Sequence, residues 1–367
     1  MNAQIKTSEV LIVGAGLSGL VLATQLVNKG IDVRVIEARS RSGGRMLSVA
    51  STNKSIDAAY FDMGPSWVWP GQPLIENLLK TMHIDCFEQY STGNLVYEDE
   101  RGLVRRDYNY STMGGSLRID GGMQLITNRL KERLPDSTVL ESHRLVNVKT
   151  SSDKIIASVE TAQSTIQFQA SKIVFCVPPR LAATSIGFEP GLPADVMQSL
   201  KLIPTWMAGH GKLTAVYGTP FWRDMGLSGD GISRQGPLME IHDSSPKNLT
   251  CGALFGFVGL PAHSAERESS VLIEGAIKQL ERLFGPQAAN PVDVFFQDWA
   301  LEPLTATQED ALSGGHPNYG LTANITALKT RGIYFSSTEA SSHSGGFIEG
   351  ALEAAINTAQ LIVADLD

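Results

Sequence analysis

Gly14-Ala15-Gly16-Leu17-Ser18-Gly19 has the spacing of a phosphate-binding turn. Gly14 permits the tight turn, Gly16 lets backbone N–H groups approach a pyrophosphate, and Gly19 lets the next helix pack closely on the preceding strand. The helix N-terminus, with Ser18 in its first turn, then faces the negative charge. Glu37 follows near the expected offset of about 20 residues, where it can accept hydrogen bonds from ribose hydroxyls; Ala38 and Arg39 come next. Farther on, Gly43 and Gly44 allow close backbone approach, and Arg45 offers a guanidinium fork to phosphate. These residues specify a dinucleotide site, and the turn by itself serves NAD and FAD alike. A second chemical group is Lys212, an ammonium on a mostly apolar strand, where desolvation lowers its pKa.

The elements that must position these groups follow from periodicity. Glu9 to Val13 is an apolar strand, the spacing of Leu20, Leu22, Ala23, Leu26 and Val27 is helical, and Asp32 to Ile36 is a second strand. The unit is βαβ. Helices are predicted for Pro73 to Met82, Met123 to Leu134 and about Glu268 to Leu283. Strands are predicted for Leu145 to Lys149, Ile155 to Glu160, Thr165 to Ala170, Gly211 to Tyr217 and Ala253 to Val258. Lys172 to Val177, stopped by Pro178-Pro179, has the β-branched composition of a buried parallel strand returning to the nucleotide domain. At the far end, Gly332 to Phe335 is a strand, Ser336 to Gly345 a polar turn, and Gly346 to Leu366 an amphipathic helix.

A chain of 367 residues has material for about two domains. Its 43% hydrophobic and 19% charged content is that of a globular protein, and the net charge of -8 argues against broad nucleic-acid binding. Cys86, Cys176 and Cys251 are odd in number and form no CxxC, so neither a disulfide framework nor a metal site is expected. No stretch reaches the roughly 20 apolar residues of a membrane span, and the first apolar run enters the glycine turn instead of a cleavage site. The expectation is a cytoplasmic protein with no membrane partner.

The run Glu37-Ala38-Arg39-Ser40-Arg41-Ser42-Gly43-Gly44-Arg45 resembles the flavin monoamine oxidase family, and the similarity extends over nearly the whole chain. Asp62-Met63-Gly64-Pro65-Ser66-Trp67 is similar to the segment that passes beside the flavin ring, which implicates Gly64, Ser66 and Trp67. Val146 falls on the position whose backbone holds adenine. Tyr334-Phe335-Ser336-Ser337-Thr338-Glu339, followed by Gly345-Gly346-Phe347-Ile348-Glu349-Gly350-Ala351, resembles the final strand and the opening of the last helix. There the resemblance puts Glu339 near the ribityl-pyrophosphate portion, Gly346 and Phe347 at the ring, and the Ile348 amide at the flavin O2. Gly211 through Trp222 resembles the strand carrying the family's active-site lysine, which places that role on Lys212.

The implied fold is α/β: a Rossmann-type FAD-binding domain, a parallel sheet with helices, built from both chain ends, plus a mixed α+β substrate domain. The expected division assigns 1–65, 121–180 and 301–367 to the FAD-binding domain, and 66–120 and 181–300 to the substrate domain. The implied reaction takes a small-molecule amine to an imine, which water hydrolyses, with molecular oxygen reduced to hydrogen peroxide. Departures from the family pattern concern the substrate side. Phe347 matches one of two aromatics that face the ring, but Pro317 stands where the other is expected, so Tyr319 or a tryptophan is the expected substitute. His316 stands where some members carry a flavin-linked cysteine, which makes noncovalent FAD the expectation over a histidyl link. The alternatives are a desaturase or protoporphyrinogen-oxidase-like enzyme on the same fold, and a flavin-binding protein without turnover. Nothing in the sequence names the amine or the number of subunits.

Overall fold

The computed structural model describes residues 5–54, 56, 59–151, 154–312 and 315–366. Its first sheet is parallel throughout, with strand order Val139–Leu140, Val33–Ile36, Val10–Val13, Lys172–Phe175, Ile333–Phe335. Val10-Leu11-Ile12-Val13 is apolar at every position because both faces of this sheet are covered, and all four residues are buried. The return of Lys172–Phe175 beside the first strand bears out the expected parallel pairing. Through it the strand at Ile333–Phe335 joins the sheet, so the two ends of the chain meet.

On one face of this sheet the helices Leu17–Val27 and Ile348–Ala364 pack together, with Leu20, Ala23, Leu352, Ala355 and Ile362 in a single core. On the other, a layer containing Arg144–Thr150, Ile155–Glu160 and Thr165–Ala170 buries Val148, Ala157 and Phe168 against Leu11 and Phe175. The helices Pro179–Ser185 and Ala194–Lys201 add Ala182, Val196 and Leu200 to that same core.

A separate seven-stranded sheet runs in the order Asp293–Asp298, Gly211–Tyr217, Gly252–Val258, Leu238–Asp243, Leu227–Ser233, Asn94–Glu98, Val104–Tyr108. The helix Ser269–Phe284 covers it with Leu272, Ala276, Leu280 and Leu283. Among the described residues no helix is long and apolar enough to cross a membrane.

Close approach between the first helix and strand depends on Gly19. A Cβ placed there would lie 2.0 Å from the Gly14 carbonyl oxygen, so neither the strand end nor the helix can stay where it is. Gly19→Ala is expected to cost about 2 kcal/mol or more in a urea denaturation series, the magnitude of overpacking in a close-packed interior. A midpoint equal to that of the wild type would show that the turn tolerates the displacement.

Candidate flavin and substrate site

The parallel sheet ends on a cavity of about 760 Å³ that extends toward the seven-stranded sheet. At its nucleotide end lie Gly14, Gly16, Glu37, Ala38, Arg39 and Leu145. Glu37 is buried and takes up two backbone N–H groups, Ala15 N on Oε2 and Arg39 N on Oε1, each at 2.9 Å. It thereby locks the glycine turn to the end of its own strand, while each oxygen keeps a second lone pair for a ribose hydroxyl. Val146 is the extra residue where the ladder between Arg144–Thr150 and Ile155–Glu160 shifts register. Its neighbours Arg144 and Leu145 reach the cavity wall, and Val146 itself is not among the lining residues.

The middle of the cavity is held by an ion pair between the chain ends. Arg45 donates to Glu339 through both guanidinium nitrogens, at 2.6 and 3.2 Å, across a separation of 294 residues. Glu339 is fully buried and does not line the cavity; its carboxylate is committed to Arg45, so its influence on a ligand runs through that guanidinium. Ser18 donates its hydroxyl to the Ser336 carbonyl, which ties the first helix to the last strand.

At the ring end, Gly346 has a left-handed φ of +84°, and a Cβ on it would meet the rings of His316, Trp206 and Tyr319 at 3.1 Å each. Only glycine fits that turn. Phe347 then forms the N-cap of the last helix, with no side chain satisfying the first-turn N–H groups. Ile348 opens that helix on the cavity wall. The Glu349 carboxylate is turned away to cap another helix, accepting from Leu74 N at 2.8 Å and Ile75 N at 2.9 Å.

Opposite this helix end, Lys212 is buried and donates from Nζ to the Gly64 carbonyl at 3.1 Å and to Ser66 Oγ at 2.5 Å. The ammonium also lies 3.8 Å from the Phe255 ring centroid. Burial brings its pKa down to about 7; Asp62 opposes the drop and Arg118 adds to it. The segment around Gly64 is held from the other side by Trp299, whose indole N–H donates to the Met63 carbonyl at 2.8 Å. Gly64 itself must be glycine, since a Cβ would sit 2.0 Å from the Arg45 carbonyl oxygen.

The aromatics differ in part from expectation. Phe347 and Trp67 line the cavity, and Trp69 reaches its wall while 40% exposed. Tyr319 does not take the vacant aromatic place. Its hydroxyl donates to the Pro204 carbonyl and accepts from Trp206 N, both at 2.9 Å, so it braces Trp206 from behind. Trp206 is the ring that meets Phe347, edge to face at 5.0 Å, and it lines the cavity. His316 stacks on Phe347 at 5.0 Å and places Nε2 2.9 Å from the Gly345 carbonyl oxygen. Ser313 and Gly314, from the same motif, lie outside the described residues.

Sequence reasoning also missed Glu240, His242 and His210. Glu240 and His210 line the cavity, and His242 packs its ring edge against Trp67 at 4.9 Å. Two polar residues spaced i, i+2 in Leu238-Met239-Glu240-Ile241-His242-Asp243 were the available signal, because such a pair shares one face of a strand.

The wall fits FAD. Two helix N-termini without side-chain caps, at Gly16 and Phe347, serve the same cavity, one suited to pyrophosphate and one to negative charge on the ring. A Cβ on Gly16 would meet nothing within 4 Å, so the turn fronts open space. Arg39 Nε and Ser337 Oγ are buried at the wall with no protein hydrogen-bond partner among the described residues, as expected of groups that await a ligand.

Comparison with known proteins agrees. Residues 84–363 match the model of flavin containing amine oxidoreductases, and residues 12–82 match an NAD(P)-binding Rossmann-like domain. The chain belongs to the flavin containing amine oxidoreductase family. It is 23% identical to flavin-containing amine oxidase B of Sus scrofa, covering 97% of this chain and 86% of that one. It is 24% identical to putrescine oxidase of Kocuria rosea, over 81% of this chain and 83% of that one. The fold matches a putrescine oxidase structure with putrescine bound, at a TM-score of 0.79 and 24% identity, covering 98% of this chain and 100% of that one. Cyclohexylamine oxidase from Brevibacterium oxydans IH-35A gives a TM-score of 0.77 at 18% identity, covering 98% and 99%. The protein is thus an FAD-dependent amine oxidoreductase with the expected α/β architecture.

The depressed pKa of Lys212 has a thermodynamic consequence. The unfolded chain keeps this lysine protonated up to about pH 10.4, whereas the folded protein releases the proton near 7. Between those values the unfolded state binds more protons, so this group's penalty on folding is greatest below pH 7 and fades as pH rises. Wild-type protein freed of cofactor should therefore gain stability relative to Lys212→Met between pH 7 and 10 in paired urea titrations. A constant difference would place the Lys212 pKa near its ordinary value.

Proposed function

We propose that the protein oxidises an amine with molecular oxygen as acceptor, so that R–CH2–NH2, O2 and H2O become R–CHO, NH3 and H2O2. The observation that carries this reading is Lys212, a buried ammonium tied to Gly64 and Ser66 on one wall of the cavity that Phe347 lines. FAD bound in this cavity would supply the two-electron chemistry, as acceptor of a hydride equivalent from the carbon beside the amine and donor of two electrons to oxygen.

The residues supply binding and orientation. Gly14, Gly16, Ser18 and Gly19 form the pyrophosphate turn, Glu37, Ala38 and Arg39 hold the ribose side, and Val146 contributes backbone near adenine. Gly44 and Arg45, with Glu339 behind the guanidinium, carry the middle of the cofactor. Gly64, Ser66, Gly346 and Ile348 bracket the ring. Lys212 sets a hydrogen-bond donor and a water position beside it, and its nearby charge assists the step with oxygen. Trp67 and Phe347 form the substrate wall, Trp206 closes it, and Tyr319 positions Trp206. No step needs a general acid or base from the chain.

The cofactor is noncovalent in this reading, since the His316 imidazole is engaged by Gly345 and Phe347. The domain division in this reading is 1–65, 121–180 and 301–367 against 66–120 and 181–300, with the helices Pro179–Ser185 and Ala194–Lys201 packed on the FAD-binding side, and the location is cytoplasmic.

A peroxide assay of the yellow holoprotein across primary aliphatic, aromatic and polyamine substrates tests the function. Peroxide is expected in proportion to amine consumed. Lys212→Met should retain FAD and lose about two orders of magnitude in turnover, the scale of losing one preorganised electrostatic group. Retained flavin with no peroxide from any amine would overturn the reading.

A further inference from the structure

Trp67 brings an indole N–H into an aromatic surrounding. Its ring centroid lies 5.4 Å from that of Phe255, 6.5 Å from that of Phe257 and 4.9 Å from that of His242, which it meets edge to face. The backbone on either side is fixed. Lys212 donates to the Gly64 carbonyl and to Ser66 Oγ, and Val68 exchanges two backbone hydrogen bonds with Leu117, at 2.9 and 2.8 Å. Those bonds do not set the side-chain torsions of Trp67, and the two phenylalanine rings offer its N–H no lone pair.

The acceptor is Gln89. It is buried, does not line the cavity and follows the short strand Cys86–Glu88, where its backbone N–H donates to the Ser116 carbonyl at 3.0 Å. Gln89 Oε1 accepts from Trp67 Nε1 at 2.9 Å, and Nε2 donates to the Asp243 carbonyl at 2.8 Å and to the Tyr90 carbonyl at 3.2 Å. The amide can take one orientation only, because an indole N–H requires an oxygen and two carbonyls require the NH2 group. Asp243 is itself held in place. Its Oδ2 accepts from Trp222 Nε1 and Arg223 Nε, both at 2.9 Å, and its Oδ1 accepts from Ser245 N at 2.8 Å. Gln89 thus ties the Trp67 indole to the end of the strand Leu238–Asp243, with both polar atoms of its amide bonded inside the protein.

A fully bonded amide buried behind a cavity wall offers nothing to a ligand directly; it sets the plane of the ring in front of it. Resting on the reading of the site as an amine oxidase, we propose that Gln89 is a positioning residue for substrate binding. It fixes the Trp67 indole against Phe255 and Phe257 and consumes its N–H, so that this part of the wall meets the substrate with carbon alone. Loss of the amide leaves the indole N–H unpaired, and the ring then turns to recover a partner from water or from the substrate. The effect falls on KM more than on kcat, since Lys212 keeps its bonds to Gly64 and Ser66.

A double-mutant cycle on the FAD-loaded protein tests this, with benzylamine and pentylamine as substrates. Gln89→Met, which keeps the length of the side chain, should raise KM about five- to tenfold while kcat stays within about twofold of the wild type, the scale of one hydrogen bond. In a Trp67→Phe background, which has no indole N–H, the same substitution should change KM by less than about twofold. An unchanged KM in Gln89→Met overturns the proposal, and so does an equal rise in both backgrounds, which is the mark of a role in packing alone. If Gln89→Met does not fold, Gln89→Asn takes its place in the cycle with the same outcomes, since it keeps both amide groups and draws the acceptor back from the indole by one methylene. A second readout needs no substrate. Trp67→Phe assigns the Trp67 indole N–H among the signals of the five tryptophans in nitrogen-labelled protein, and Gln89→Met or Gln89→Asn should shift that signal and speed its exchange with solvent. If the wild type oxidises no amine, the oxidase reading fails separately and this signal decides alone, an unshifted resonance overturning the proposal.

Discussion

The ion pair between Arg45 and Glu339 is the point on which the site depends. A carboxylate with no solvent exposure is stable only when paired, and its partner comes from a loop 294 residues away. The pair forms only once the strand at Ile333–Phe335 has taken its place beside Lys172–Phe175, which itself lies beside Val10–Val13. The flavin cavity is therefore a product of the completed sheet and not of the glycine turn alone. Breaking either partner would leave an uncompensated charge at the cavity wall and loosen the join between the two chain ends.

The same geometry explains how one ligand can be held at both ends. A helix start near residue 16 and another near residue 347 serve one cavity, and neither has a side-chain cap. An N-terminus left uncapped by its own chain is a donor set kept for something else. In each case the residue that forces the backbone into place is glycine: Gly19 against the Gly14 carbonyl, and Gly346 among three aromatic rings. Lys212 approaches from a different sheet, and its low pKa arises because that sheet delivers it into a pocket of carbonyl, hydroxyl and aromatic groups with Asp62 as the nearby opposing charge.

Legibility in the sequence followed the range of the interaction. The nucleotide turn, Glu37 and the flanking strands are local, and their chemistry is carried by a few adjacent residues. The returning strand at Lys172 was legible from its β-branched composition and its proline stop. Glu339 was legible as part of a motif, but not its commitment to Arg45, because a side-chain partner so distant in sequence leaves no periodic trace. A tryptophan in place of the second aromatic was legible, but not which one: Trp206 lies in an irregular loop, and its role depends on Tyr319 bracing it and Phe347 meeting it. Tyr319 reads from its position near Pro317 as one candidate for that aromatic, yet its hydroxyl has two backbone partners that turn it away. Glu240 shows the remaining kind of gap, since its place on the same cavity wall as Lys212 exists only in the register of three strands.

The central claim is that an amine held in this cavity transfers its electrons to FAD. An anaerobic titration tests it most directly, with an aliphatic amine added to the FAD-loaded protein while the visible flavin absorbance is followed. The account predicts that the absorbance bleaches in proportion to amine and returns when oxygen is admitted. A flavin spectrum that stays oxidised while the amine demonstrably binds would contradict it.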